Sequence, residues 1–130
     1  MAREGEDSTI EQDIERYRVI LERDPLSSVF AHLAELLRRT GSLDEALTIC
    51  IEGLQKHPNH ISGKVALGRI YYDKGMMIEA KKEFEEVVKT APDNILASKL
   101  LKEISEKIHE EGVETEANRN SQELEIENKK

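Results

Sequence analysis

Apolar positions along most of the chain recur at helical spacing, and prolines interrupt the recurrence at regular intervals. In "SSVFAHLAELLRRTG" they fall at Phe30, Leu33 and Leu37, the three- and four-residue steps of a helix that buries one face. In "SLDEALTICIEGLQKHP" they fall at Leu43, Ala46, Leu47, Cys50 and Leu54, a second helix of the same kind. "SGKVALGRIYYDKG" and "MMIEAKKEFEEVVKTAP" repeat this plan. Ser27 or Ser28 is placed to cap the first of these helices, and Gly41 to end it in a left-handed conformation. Ser42, with Glu45 three residues on, reads as a capping box. No segment carries a strand signal. The pattern predicts helices over residues 9–23, 27–40, 43–56, 61–74, 77–90 and 95–109.

The two middle helix pairs are related by a fixed offset of 34 residues. Leu33 falls on Leu67, Ala34 on Gly68, Leu37 on Tyr71 and Gly41 on Gly75. Ala46 falls on Ala80, Cys50 on Phe84, Leu54 on Val88, Pro58 on Pro92 and Asn59 on Asp93. The matches are of size and role, as a packing repeat requires, and a period in this range marks a solenoid. A proline inside a helix costs about 3 kcal/mol. Pro58 and Pro92 fall in turns after a second helix, where no such bond is lost.

Phe30, Leu33-Ala34, Gly41, Ala46, Gly53 and Pro58, then Leu67-Gly68, Tyr71, Gly75, Ala80, Phe84 and Pro92, form a pattern that resembles the tetratricopeptide repeat over residues 27–94. Lys64 departs from it where a large apolar residue is usual, and Leu37 and Cys50 where aromatics are usual. "IERYRVILERDP", ending in Pro25, is similar to the second helix of a preceding unit. "NILASKLLKEISEKIHEEG" is similar to another first helix, with Lys102 and Ser105 polar where earlier units are not, as suits a solenoid cap. The resemblance implies an all-α fold, an α-α superhelix of about six antiparallel helices. Two full repeats, 27–60 and 61–94, would be flanked by half-repeat and capping helices, the cap over 95–110. The repeat domain is expected over 9–110, with a disordered N-terminus over 1–8 and a disordered acidic tail over 111–130.

Composition changes this picture only in what it excludes. Charged residues make up 35% of the 130, the net charge is −8, and aromatics are only 4%. Acidity gathers at the ends: net −4 over residues 1–26 and −3 over 111–130, against −1 over 27–94. Nucleic-acid backbones and anionic membrane surfaces are themselves negative and fit such a chain poorly. No apolar run reaches the ~18 residues of a membrane span, and Met1–Thr9 has no apolar segment to serve as a signal peptide. Cys50 is the only cysteine, so no intramolecular disulfide forms. A soluble, cytoplasmic protein is expected.

No residues assemble into a catalytic constellation, and no enzyme activity, cofactor or metal is expected. Cys50 occupies the packing position of Phe84. His57 and His60 flank Pro58 without further ligands beside them and read as solvated loop residues. His32 and His109 have no evident partner. The mixed charges of Lys81, Lys82, Glu83, Glu85, Glu86 and Lys89 read as a solvated helix face. The glycines are spread over repeat positions rather than clustered into a phosphate loop.

What remains is a surface. In the family resembled, first helices line a concave groove that holds peptides or helices of other proteins. The corresponding positions here are Ser28, Ala31, Glu35, Arg38 and Arg39, then Ser62, Val65, Arg69, Tyr72 and Asp73, with Leu96, Lys99 and Glu103 from the cap. Some relatives clamp the carboxylate tails of heat-shock chaperones with Lys, Asn and Arg. This chain has Ala31 and Glu35 where the Lys and Asn would stand, so that arrangement is not expected. The expected function is a non-enzymatic adaptor or scaffold that binds a partner protein's peptide or helix. The alternative is a self-assembling homo-oligomer, for which Ile49 and Ile51 are candidate contacts.

Overall fold

In the computed structural model the described residues form six helices in chain order: α1 (Ala2–Arg23), α2 (Phe30–Arg39), α3 (Leu43–Lys56), α4 (Ile61–Asp73), α5 (Met77–Thr90) and α6 (Ile95–Glu111). The structure describes residues 2–111, with side chains for 9–110. The tail beyond Glu111 lies outside the described residues. Each helix packs on the next in sequence, and α2 also meets α4. The fold is all-α, as the periodicity implied.

Three boundaries differ from the sequence reading. α1 begins at Ala2 rather than residue 9, so helical backbone runs through the segment expected to be disordered; no proline precedes Pro25 to stop it. α2 begins at Phe30 rather than residue 27. The Val29 N–H donates to Ser27 Oγ at 3.2 Å, a local turn that competes with a helical start. α6 runs two residues further than expected.

Gly41 (φ +88°) and Gly75 (φ +79°) are left-handed, as expected for helix ends. Behind each, the next residue donates five back, Ser42 to Leu37 O and Met76 to Tyr71 O, both at 2.8 Å. This is the Schellman arrangement. His57 and Ala91, the residues before Pro58 and Pro92, have nearly identical dihedrals of −131°/70° and −135°/73°. The capping box at Ser42 does not form: the Ser42 side chain makes no cap bond. Glu45 is instead held by both arms of the Arg18 guanidinium, tying α3 to α1.

The core falls into two clusters. Phe30, Ala31, Leu33, Ala34, Leu37, Ala46, Cys50, Ala66, Leu67 and Ile70 form the first, with Ile14, Tyr17 and Leu21 of α1 packed on it. Val65, Ala80, Phe84, Val87, Ala97, Ile104 and Ile108 form the second. Tyr71 touches both. Ile49 belongs to the first cluster's margin and shares a small recess with Leu21 and Pro25, so it covers the N-terminal segment.

Repeat-equivalent positions exchange volume. The first unit has the bulky Phe30 beside Gly53 and Gly63, where added Cβ atoms would lie 2.1 and 2.9 Å from the Phe30 ring. The second unit has Lys64, Val87 and Ala97 at those positions. Likewise Ala34 and Cys50 become Gly68 and Phe84, and a Cβ on Gly68 would lie 2.7 Å from that ring. Close packing conserves the sum rather than the residue. Lys64 departs from the repeat pattern for this reason: its partners across the unit have grown.

Candidate functional site

The first helices α2 and α4 expose one face each toward the start of α6, and a groove of about 460 Å³ runs between them. Its floor is apolar. Ala31, Val65 and Ala66 are buried there and belong to the core. Ser28 and Ser62 stand along it, and Leu96 overhangs from α6. The walls carry charge: Glu35 from α2 and Arg69 from α4, 3.4 Å apart.

Glu35 is the hub of a small network. Arg38 donates to both its oxygens, from Nε at 3.2 Å and Nη2 at 2.6 Å. Arg38 Nη1 also donates to Asp73 Oδ2 at 2.7 Å. Only 13% of the Arg38 side chain is exposed. Hydrogen bonding to Glu35 holds its pKa above the usual guanidinium value, more than burial lowers it. Arg38 and Asp73 thus serve each other and Glu35, and they do not line the groove. Arg69 is the guanidinium that faces the opening, with a single loose contact to Glu35.

Of the thirteen positions named from the sequence, the structure brings together Ser28, Ala31, Glu35, Ser62, Val65, Arg69 and Leu96. Arg39, Lys99 and Glu103 are exposed outside the groove. Tyr72 packs on the second core cluster, with Lys107 Nζ 5.1 Å from its ring centre. It is a bracket between α4 and α6 rather than a groove residue.

The sequence reading missed His32, His60, Ala66 and Asn94, which also line the groove. His32 stacks on Tyr17 of α1, ring centres 5.9 Å apart. His60 is not a solvated loop residue. Its Nδ1 accepts the Gly63 N–H at 2.9 Å and caps α4, and its ring tilts against Phe30 at 5.0 Å. His57 stacks on Phe30 and meets Leu26 O at 2.6 Å. The repeat offset carries a signal for the cap: Asn94, 34 residues on, accepts the Ala97 N–H at 2.9 Å. One cap is imidazole and the next is amide.

This difference makes the first cap titratable. Burial, with the charges of His57 and His32 adding to it, pushes His60 below the usual histidine range. The folded state therefore favours the neutral imidazole. Its contribution is complete above the ordinary value near ~6.5 and is lost as pH falls through the depressed one. His60→Ala is expected to cost about 1 kcal/mol at neutral pH, the worth of an N-cap. His60→Asn, copying Asn94, should keep the cap and flatten the stability profile below the ordinary histidine value. Urea titrations across that pH window check both.

Cys50 is fully buried and its Sγ lies 3.2 Å from Gly63 O as a donor. Burial pushes the thiol up to about 12, so it stays protonated and packs. Among the described residues no group of three His, Cys, Asp or Glu side chains is placed to hold a metal ion. None of the described helices is long and apolar enough to cross a membrane.

A family model described as "Tetratricopeptide repeat" matches residues 37–104. No curated protein matches the chain. Among solved structures, the first TPR of Spaghetti (RPAP3) bound to the HSP90 peptide SRMEEVD superposes with a TM-score of 0.75. Its identity is 20%, over 83% of this chain and 86% of that one. The NMR structure of the first TPR domain of the human RPAP3 protein gives 0.76 and 20%, over 87% and 91%. At this identity the likeness is one of fold.

Proposed function

We propose, from the premise that the chain belongs to the tetratricopeptide repeat family, that it is a non-catalytic adaptor holding a segment of another protein. The groove between α2, α4 and α6 is the observation that carries this reading. Its apolar floor suits side chains of an extended or helical segment. Arg69, more exposed than Arg38 and only loosely paired, is suited to a polar or acidic group of that segment. A structural neighbour is bound to a heat-shock-protein peptide. This chain lacks the lysine and asparagine of the carboxylate clamp at Ala31 and Glu35. Glu35 is offset by Arg38 and Arg69, so it discourages an acidic ligand less than its charge alone implies. The selectivity we assign is therefore for an internal segment, read by apolar contacts and one guanidinium.

Arg69→Glu reverses the one available charge and sets it beside Glu35. Affinity capture from a native lysate, quantified by mass spectrometry, is expected to show bound protein falling about tenfold or more. Thermal melting should change little, because Arg69 is part-exposed and its pair is weak. Normal capture by Arg69→Glu would rule the groove out. Ala31→Leu, which fills the floor, is a second variant with the same expected direction.

A further inference from the structure

We propose that a second copy of this chain seats the start of its α6 in another groove, formed by α3, α4 and α5. That groove encloses about 290 Å³ and shares no lining residue with the first. Ile51, Leu54 and Leu67 give it apolar walls. Ile51 stays 37% exposed, whereas Ile49, two residues earlier, is packed. The equivalent of Ile51 in the next unit is Glu85, so the repeat framework does not demand an apolar residue there.

The rim carries two carboxylates and one cation. Lys64 pairs with Glu86 at 3.4 Å. Glu83 is half-buried and has no ion pair among the described residues. Burial, and then the nearby Glu86, raise its carboxyl above the usual range, and Lys64 and Lys82 offset this only in part. A half-buried carboxylate with no cation in direct contact is costly. The groove thus fits an apolar side chain followed closely by a positive one.

The beginning of α6 presents that pair. Ile95 is 83% exposed, more than any other large apolar residue described. Lys99 and Lys102 follow at four and seven residues, on the same helical stripe, and both are exposed. The N-terminus of α6 adds the positive end of its dipole. Asp93 and Glu103 flank this patch and only partly offset it. Ile95 does nothing for its own helix, which is held by Ala97, Ile104 and Ile108. Leu96, beside it, faces the first groove instead. Ile95 enters the apolar walls of the other copy, and Lys99 supplies the direct ion pair that Glu83 lacks. One copy gives the groove and the other the knob, so the contact is heterologous and propagates head to tail. It is small, so it forms only as concentration rises.

Sedimentation velocity of the full chain, from micromolar to millimolar, tests this. The weight-average mass is expected to climb above 14.8 kDa with concentration. Ile95→Glu, Glu83→Lys and Lys99→Glu should each hold it at that value. Mixing Glu83→Lys with Lys99→Glu restores opposite charges at every contact and should restore association. Ile95 and Lys99 are exposed, so melting curves of those variants should match wild type. A wild-type mass fixed at 14.8 kDa throughout, or an Ile95→Glu chain that associates like wild type, overturns the proposal. The adaptor reading is separate: Ile95→Glu should capture partner protein normally.

Discussion

Phe30→Ala is expected to cost about 3–5 kcal/mol, a large part of the stability of a domain this size. Phe30 is 1% exposed and stands at the centre of the first cluster. Its ring lies against two glycines and is flanked by His57 and His60. Truncation leaves a cavity that neither glycine can fill. The dependence runs the other way too. Gly53→Ala gains up to about 1 kcal/mol of helix propensity. Its Cβ, however, would lie 2.1 Å from Phe30 Cγ, near the root of a buried side chain that cannot swing aside. Overpacking of this kind costs about 1–3 kcal/mol, so the substitution is expected to destabilise. In the Phe30→Ala background the obstacle is gone, and Gly53→Ala should become stabilising by about 1 kcal/mol. Urea unfolding of the four chains gives the cycle. An unchanged sign in both backgrounds would mean that Phe30 and Gly53 do not share this space.

The same exchange shows how far the sequence was legible. Helix number, order and turns followed from the apolar period, the 34-residue offset and the glycines and prolines, because backbone dihedrals at those residues are restricted locally. Gly53 and Lys64 could be placed on the repeat but not explained. Their roles depend on volumes contributed by helices distant in sequence. The capping box failed for a related reason: Glu45 had a better partner in Arg18, 27 residues upstream, which no local motif encodes.

The groove was legible by half. Positions on the inner faces of α2 and α4 came out where the repeat put them, since helical phase alone sets their direction. Arg38 and Tyr72 share that phase yet point into other work, because Asp73 and Lys107 lie within their reach. His60 and Asn94 entered the groove as caps. A cap lies at the edge of the helical pattern, so an inventory built on helix faces passes over it.

Removing α6 is expected to abolish cooperative folding, and removing α1 to leave a folded but less stable chain. The asymmetry comes from burial. α6 contributes Ala97, Ile104 and Ile108, all buried, with Leu100 and Leu101 packed beside them. Each large apolar side chain so buried is worth about 1.5–3 kcal/mol, and its loss would also uncover Phe84 and Val87. Together these exceed what a small domain holds in reserve. The described side chains of α1 include none that is fully buried; Ile14, Tyr17 and Leu21 are half-covered. Its ties to the rest include the Arg18–Glu45 pair, part-exposed and hence weak, and the Tyr17–His32 stack. A solenoid needs an end that buries one face and solvates the other; α6 does this with a polar outer stripe, and α1 does it only in part. Circular dichroism melts of chains ending at Asn94 and beginning at Pro25 make the comparison, with a chain ending at Glu111 as reference. A sharp transition in the chain lacking α6, or an equal loss in the two, would show that the second cluster closes without its cap.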